Sequence, residues 1–144
     1  MWWLIKAKHD SDSESTSYAY FDSNDGLHSD SNERVKNIDG WTVYPSDMED
    51  SANNQPSIIL QNNWFSVQND HFGHYKYFIY KDKDVVLISN RVEKILENID
   101  VEININAVVL YALGYHYLAG QTLFKGVGLS KHGTILTYSK DGLK

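Results

Sequence analysis

Alternation opens the chain. Trp2, Leu4 and Lys6 fall on one face of an extended segment over 2–8, and Trp3, Ile5 and Ala7 on the other. Large apolar residues on both faces predict a strand in the interior of a sheet. Ser17 to Phe21 reads as a second strand, and the polar run Asp10 to Thr16 as a hairpin loop or disordered tip. Asp22 to Asp39 is polar, with Gly26 as a turn residue. Trp41 to Tyr44 reads as a short strand closed by Pro45, and Ser46 to Pro56 as a loop.

The second half is more regular. Trp64 to Gln68 alternates as a strand, and Asn69-Asp70-His71-Phe72-Gly73 is turn chemistry, with Gly73 suited to positive φ. Tyr75 to Tyr80 reads as the return strand, Asp82-Lys83-Asp84 as a turn, and Val85 to Ser89 as a buried strand. Together they predict a three-stranded antiparallel meander. Asn90 is placed to cap a helix over Arg91 to Asn98, whose apolar face is Val92, Ile95 and Leu96. Asn104 is placed to cap a second helix from Ile105 to about Leu113, closed by Gly114. After Thr122 a short turn leads to a strand over Thr134 to Tyr138 and a polar end at Lys140-Asp141-Gly142. There is no internal repeat. The pattern predicts an α+β fold in which antiparallel sheet dominates.

Composition bounds the chemistry. The 144 residues suit one domain, and 42% hydrophobic with 13% aromatic content is enough for a packed core. With no cysteine, disulfide scaffolds, thiolate zinc sites, iron–sulfur clusters and a cysteine nucleophile are excluded. The longest apolar runs, Val85 to Ile88 and Ala107 to Leu113, are too short to span a bilayer. Met1-Trp2-Trp3-Leu4-Ile5-Lys6 lacks the pattern of a secretory leader, so a cytoplasmic location is expected. Residues 1–63 hold four Lys/Arg against eleven Asp/Glu, and residues 64–144 nine against eight. An acidic chain of net charge −6 repels phosphate backbones and anionic membrane surfaces, so neither nucleic acid nor membrane is expected as a partner.

Candidate site chemistry is thin. His71 and His74 flank a turn and could offer two imidazoles, but His9, His28, His116 and His132 have no matching spacing; two loop histidines are the simpler reading. Placing Gly26 at the sixth position of a calcium loop makes the first Phe21 and the twelfth Asn32, so the motif fails. Glu93 and Glu97 sit four apart on a helix that also bears Lys94, the pattern of a solvated face. Phosphate-loop, dinucleotide-binding, nucleophile-elbow and metalloprotease motifs are absent. The four Trp and ten Tyr invite a carbohydrate-binding reading, yet most fall in strands where aromatics pack across the sheet.

One constellation is more specific. Trp64 to Gly73 leads to Tyr75-Lys76-Tyr77-Phe78-Ile79-Tyr80, then to Val85-Val86-Leu87-Ile88-Ser89-Asn90 and Arg91 to Leu96. Asn106-Ala107, Leu110 and Gly114-Tyr115 then precede Thr122-Leu123-Phe124-Lys125-Gly126-Val127, followed by Leu129, Gly133 and Leu136. The order and spacing resemble the glutaminase-type N-terminal domain of the asparagine synthetase family. The likeness covers 63–144; residues 1–62 form a divergent, acidic half. It implies an N-terminal-nucleophile hydrolase-like αββα sandwich in truncated form: two facing antiparallel sheets with outer helices. It also implies a single domain over 1–144 at the front of a longer protein, with a C-terminal synthetase domain as partner in cis or in trans. ATP and magnesium would belong to that attached domain and not to this chain.

The resemblance departs where the family's chemistry sits. That mechanism takes Cys, Ser or Thr as the first mature residue, with the free amine as base. Here Met1 precedes the large Trp2, which blocks removal of the initiator residue, and neither is a nucleophile. The glutamine-holding Arg-Gly-Pro-Asp and Asn-Gly-Glu motifs and the synthetase Ser-Gly-Gly-x-Asp-Ser loop are also absent. No catalytic, cofactor-binding or metal residue is therefore assigned. The expectation is a non-hydrolytic domain, similar to those of β-lactam and lasso-peptide macrolactam synthetases, with a structural or partner-holding role. The alternative is a stand-alone protein- or carbohydrate-binding module. Self-association through an exposed sheet edge, giving a homo-dimer, is expected for the chain in isolation.

Overall fold

The structure, a computed structural model, describes residues 2–8, 17–22, 26–28, 36–38, 41–44, 56–61, 64–83, 85–115, 120–139 and 142–143. These form β1 Trp3–Lys8, β2 Ser17–Asp22, β3 Gly26–His28, β4 Lys36–Ile38, β5 Trp41–Tyr44, β6 Ser57–Gln61, β7 Trp64–Gln68, β8 Phe78–Lys81 and β9 Val85–Ser89. The helices α1 Val92–Leu96 and α2 Ile105–Ala112 follow, then β10 Val127–Leu129, β11 Ile135–Ser139 and β12 Gly142–Leu143. The strands make two six-stranded sheets, ordered β10-β8-β9-β1-β2-β3 and β12-β11-β7-β6-β5-β4. Every strand pairing is antiparallel except β5 with β6.

The alternation in β1 acts as its pattern predicts. The strand is interior, with Ile5 opposite Tyr20 on β2 and Ile88 on β9. Trp3, Ile5 and Ala7 turn one way and are fully buried. They pack in one core with Tyr20, Val86 and Ile88 of their own sheet and with Ile58, Phe65, Val67, Leu136 and Tyr138 of the second. Phe65 and Tyr138 are cross-strand partners whose rings stack with centroids 5.3 Å apart. Leu4 turns the other way and packs with Leu87, Val127 and Ile95, so α1 covers the outer face of the first sheet. Each such side chain removed from water contributes roughly 1.5–3 kcal/mol before conformational entropy is counted.

The expected meander is corrected. β8 and β9 do form a hairpin, closed by Asp82, whose N–H donates to the Val85 carbonyl at 3.0 Å and whose Oδ1 accepts the Val85 N–H at 2.8 Å. β7, however, lies in the second sheet, between β6 and β11. Residues 69–77 thus cross from one sheet to the other, and the return strand starts only at Phe78. The crossing is held by distant partners. Asn69 Oδ1 accepts the Thr134 N–H at 2.7 Å, and Ser130 Oγ accepts the Tyr77 N–H at 3.1 Å.

Further differences are local. β6 lies where no strand was expected, as do β3, β4, β10 and β12. Gly26 opens β3 instead of turning the chain. Asn90 does not cap α1: its Oδ1 accepts the Trp3 N–H at 2.9 Å, and Arg91 is the N-cap residue with no side-chain cap. Segments 10–16 and 46–55, together with Lys140 and Asp141, lie outside the described residues. None of the described helices is long and apolar enough to cross a membrane.

Candidate functional site

Three places collect the residues that the sequence singles out. The first is the head of β1. Trp3 is fully buried, its N–H is held by Asn90, and its carbonyl accepts the Ser89 hydroxyl. Trp2 lies half-buried beneath Lys94, whose Nζ sits 4.6 Å from the ring centroid, a cation–π distance.

The second is the turn 69–75. Asp70 is buried to 6% exposure, and its carboxylate accepts the Tyr75 N–H at 2.9 Å and the His74 N–H at 3.1 Å. Burial alone raises its pKa. The N–H donors of Tyr75 and His74 and the His74 imidazole outweigh that and hold the carboxyl below its ordinary value. His71 and His74 are exposed and flank Phe72, itself 78% exposed. Gly73 has φ +73°, as its turn chemistry predicts, and passes so close to the His132 ring that a Cβ would meet Nδ1 at 2.2 Å. Among the described residues no three His, Asp or Glu side chains gather as a metal group. Glu93 and Glu97 do not converge on a site: Glu97 pairs with Lys94 at 2.8 Å on the exposed side of α1.

The third is α2, and here local signals and surroundings diverge. Asn104 caps it, accepting the Ala107 N–H at 3.3 Å. Gly114, at φ +85°, ends it: its N–H donates to the Tyr111 carbonyl at 3.0 Å, and the Tyr115 N–H to the Leu110 carbonyl at 2.9 Å. These are the paired bonds of a left-handed glycine cap. The base of the excursion is stapled by the Asn104 N–H to the Leu123 carbonyl at 2.8 Å and the Lys125 N–H to the Glu102 carbonyl at 2.8 Å. Lys125 Nζ and Glu102 Oε2 add an exposed ion pair at 2.7 Å, in which each partner shifts the other toward its charged form.

Only one narrow side of α2 turns toward the body. Ala107 and Leu110 are half-buried there, over a small open hollow floored by Thr122 and Leu123. Thr122 is itself buried and donates its hydroxyl to the Val127 carbonyl at 2.7 Å. The other residues of the helix are exposed. Ile105 (66% exposed), Val108, Val109 and Ala112 form a stripe at i, i+3, i+4 and i+7 that points away from the body, flanked by exposed Tyr111, Leu113 and Tyr115. No residue of α2 is buried. A sequence signal for this face exists: between Glu102 and Lys125 the chain has no Asp, Glu, Lys or Arg. Helical period alone does not report which way an apolar stripe points.

A scan of known protein-family models finds no match to this chain, and a search of curated proteins finds none either.

Proposed function

We propose that this chain is a non-hydrolytic, amidotransferase-like N-terminal domain of an asparagine-synthetase-like, ATP-dependent amide-forming enzyme, with a structural or partner-holding role. The observation that carries the reading is the pair of facing sheets that share one core, with α1 on the outer face of the first. The motif order over 63–144 supports the same reading, with the αββα sandwich and a cytoplasmic location as parts of the proposal. ATP and magnesium would be bound by a synthetase domain in cis or in trans. The purified chain incubated with glutamine is expected to release no glutamate above a protein-free blank. Release above that blank contradicts the proposal.

A second reading, a stand-alone protein-binding module, is favoured by the bare, uncharged face of α2. Tryptophan fluorescence across a peptide and sugar panel separates the two. A saturable shift supports the module; a flat response favours the domain.

A further inference from the structure

The loops 69–77 and 130–134 are clamped to each other and present one cluster of rings. Asn69 Nδ2 donates to Ser130 Oγ at 3.3 Å and to the Lys131 carbonyl, and the Asp70 carbonyl accepts the Gly133 N–H at 3.1 Å. Each loop lays an imidazole against the glycine of the other: His132 against Gly73, and His71 against Gly133, where a Cβ would meet its Nδ1 at 3.4 Å. Phe72 stands between His71 and His74, with ring centroids 5.7 and 5.9 Å away. All four rings are exposed. We infer that this cluster is a docking surface for a short acidic segment of a partner protein, which seats an apolar side chain on Phe72 and carboxylates around it.

Three observations choose this partner. The first is charge. From Trp64 to Tyr80 and from Val127 to Ser139 the chain carries His71, His74, His132, Lys76 and Lys131, with Asp70 as the only carboxylate. Asp70 is buried and bound to backbone N–H groups, while Lys76 and Lys131 are exposed and, among the described residues, not ion-paired. A positive surface of this kind complements a negative one. The second is Phe72, 78% exposed on a backbone fixed by the Asp70 carboxylate and by Gly73. An aromatic side chain already held in place costs little further ordering when a partner buries it. The third is extent. The whole chain carries a net charge of −6, so a long nucleic-acid strand or an anionic bilayer meets repulsion beyond the patch, and a short acidic segment ends within it. The inference does not depend on the amidotransferase reading.

The test is fluorescence anisotropy of fluorescein-labelled Asp-Glu-Asp-Phe-Glu-Asp-Glu titrated with the full chain. Saturable binding is expected, tightening roughly threefold or more from about pH 8 to about pH 6 as imidazoles gain charge. Phe72→Ala removes only an exposed ring and is expected to weaken binding about fivefold with the far-ultraviolet dichroism unchanged. Lys131→Glu is expected to weaken it about fivefold as well. Lys83→Glu makes the same change in net charge on the β8–β9 turn and is expected to shift binding by less than about twofold. Should Lys131→Glu misfold, Phe72→Ala and the pH dependence still decide. No saturable binding, full affinity in Phe72→Ala, equal losses from Lys83→Glu and Lys131→Glu, or tighter binding of oligothymidylate or phosphatidylserine vesicles than of the peptide overturns the inference.

Discussion

Asp70 shows how much one side chain can decide. It is buried, it accepts two backbone N–H groups, and its carbonyl takes the N–H groups of Gly73 and Gly133 at 3.2 and 3.1 Å. Asp70→Ala strands the Tyr75 and His74 donors and is expected to cost about 1–3 kcal/mol at neutral pH. Because the folded carboxyl lies below the ordinary aspartate value of 3.8, its charged-state contribution is complete above that pH. It is lost as the pH falls through the folded value. Denaturant titrations of both proteins from pH 7 to pH 2 are expected to show a gap that narrows below pH 4. A gap independent of pH contradicts this role. The same residue explains a failure of sequence reading. Asn69 to Gly73 is turn chemistry whether the chain folds back into a hairpin or crosses between sheets. The choice rests on the bonds of Asn69 and Tyr77 to Thr134 and Ser130, more than fifty residues away.

Among the elements, those governed by neighbours in sequence are the legible ones. The alternation of β1 gives its faces, the Asn104 cap and Gly114 give the ends of α2, and Asp82 gives the β8–β9 turn. β6 escapes because Ile58-Ile59-Leu60 is a continuous apolar run beside a polar loop, and its strand character comes from pairing with β5 and β7. Asn90 fails as a cap because Trp3, 87 residues away, takes its side chain. α2 is right in extent, while its bare side was hidden: periodicity yields a stripe but not its direction. The helix also makes a local prediction. A Cβ at Gly114 would meet nothing within 4 Å, so Gly114→Ala costs only the left-handed backbone strain, about 1 kcal/mol. Hydrogen exchange of the α2 amides is expected to quicken roughly fivefold, with β1 and β9 unchanged. Equal quickening in both sheets contradicts an independent α2.

At the scale of the molecule, two sheets share one core, a short helix seals one outer face, and a second helix is stapled to the body at its base. The antiparallel, sheet-rich class was legible because alternation and turn residues are local properties. The division into two sheets was legible only through the family resemblance and not from the local pattern, since it depends on which strands pair. The candidate face of α2 was legible only as a window without charge between Glu102 and Lys125. The central claim is that this chain serves an ATP-dependent amide-forming domain and does no glutamine chemistry itself. It is tested most directly by purifying the native gene product under mild conditions, measuring its intact mass and sequencing whatever copurifies. The account predicts a Ser-Gly-Gly-x-Asp-Ser loop either further along the same polypeptide or in a copurifying chain. A native product of 16.5 kDa with no such loop in itself or in any partner contradicts it.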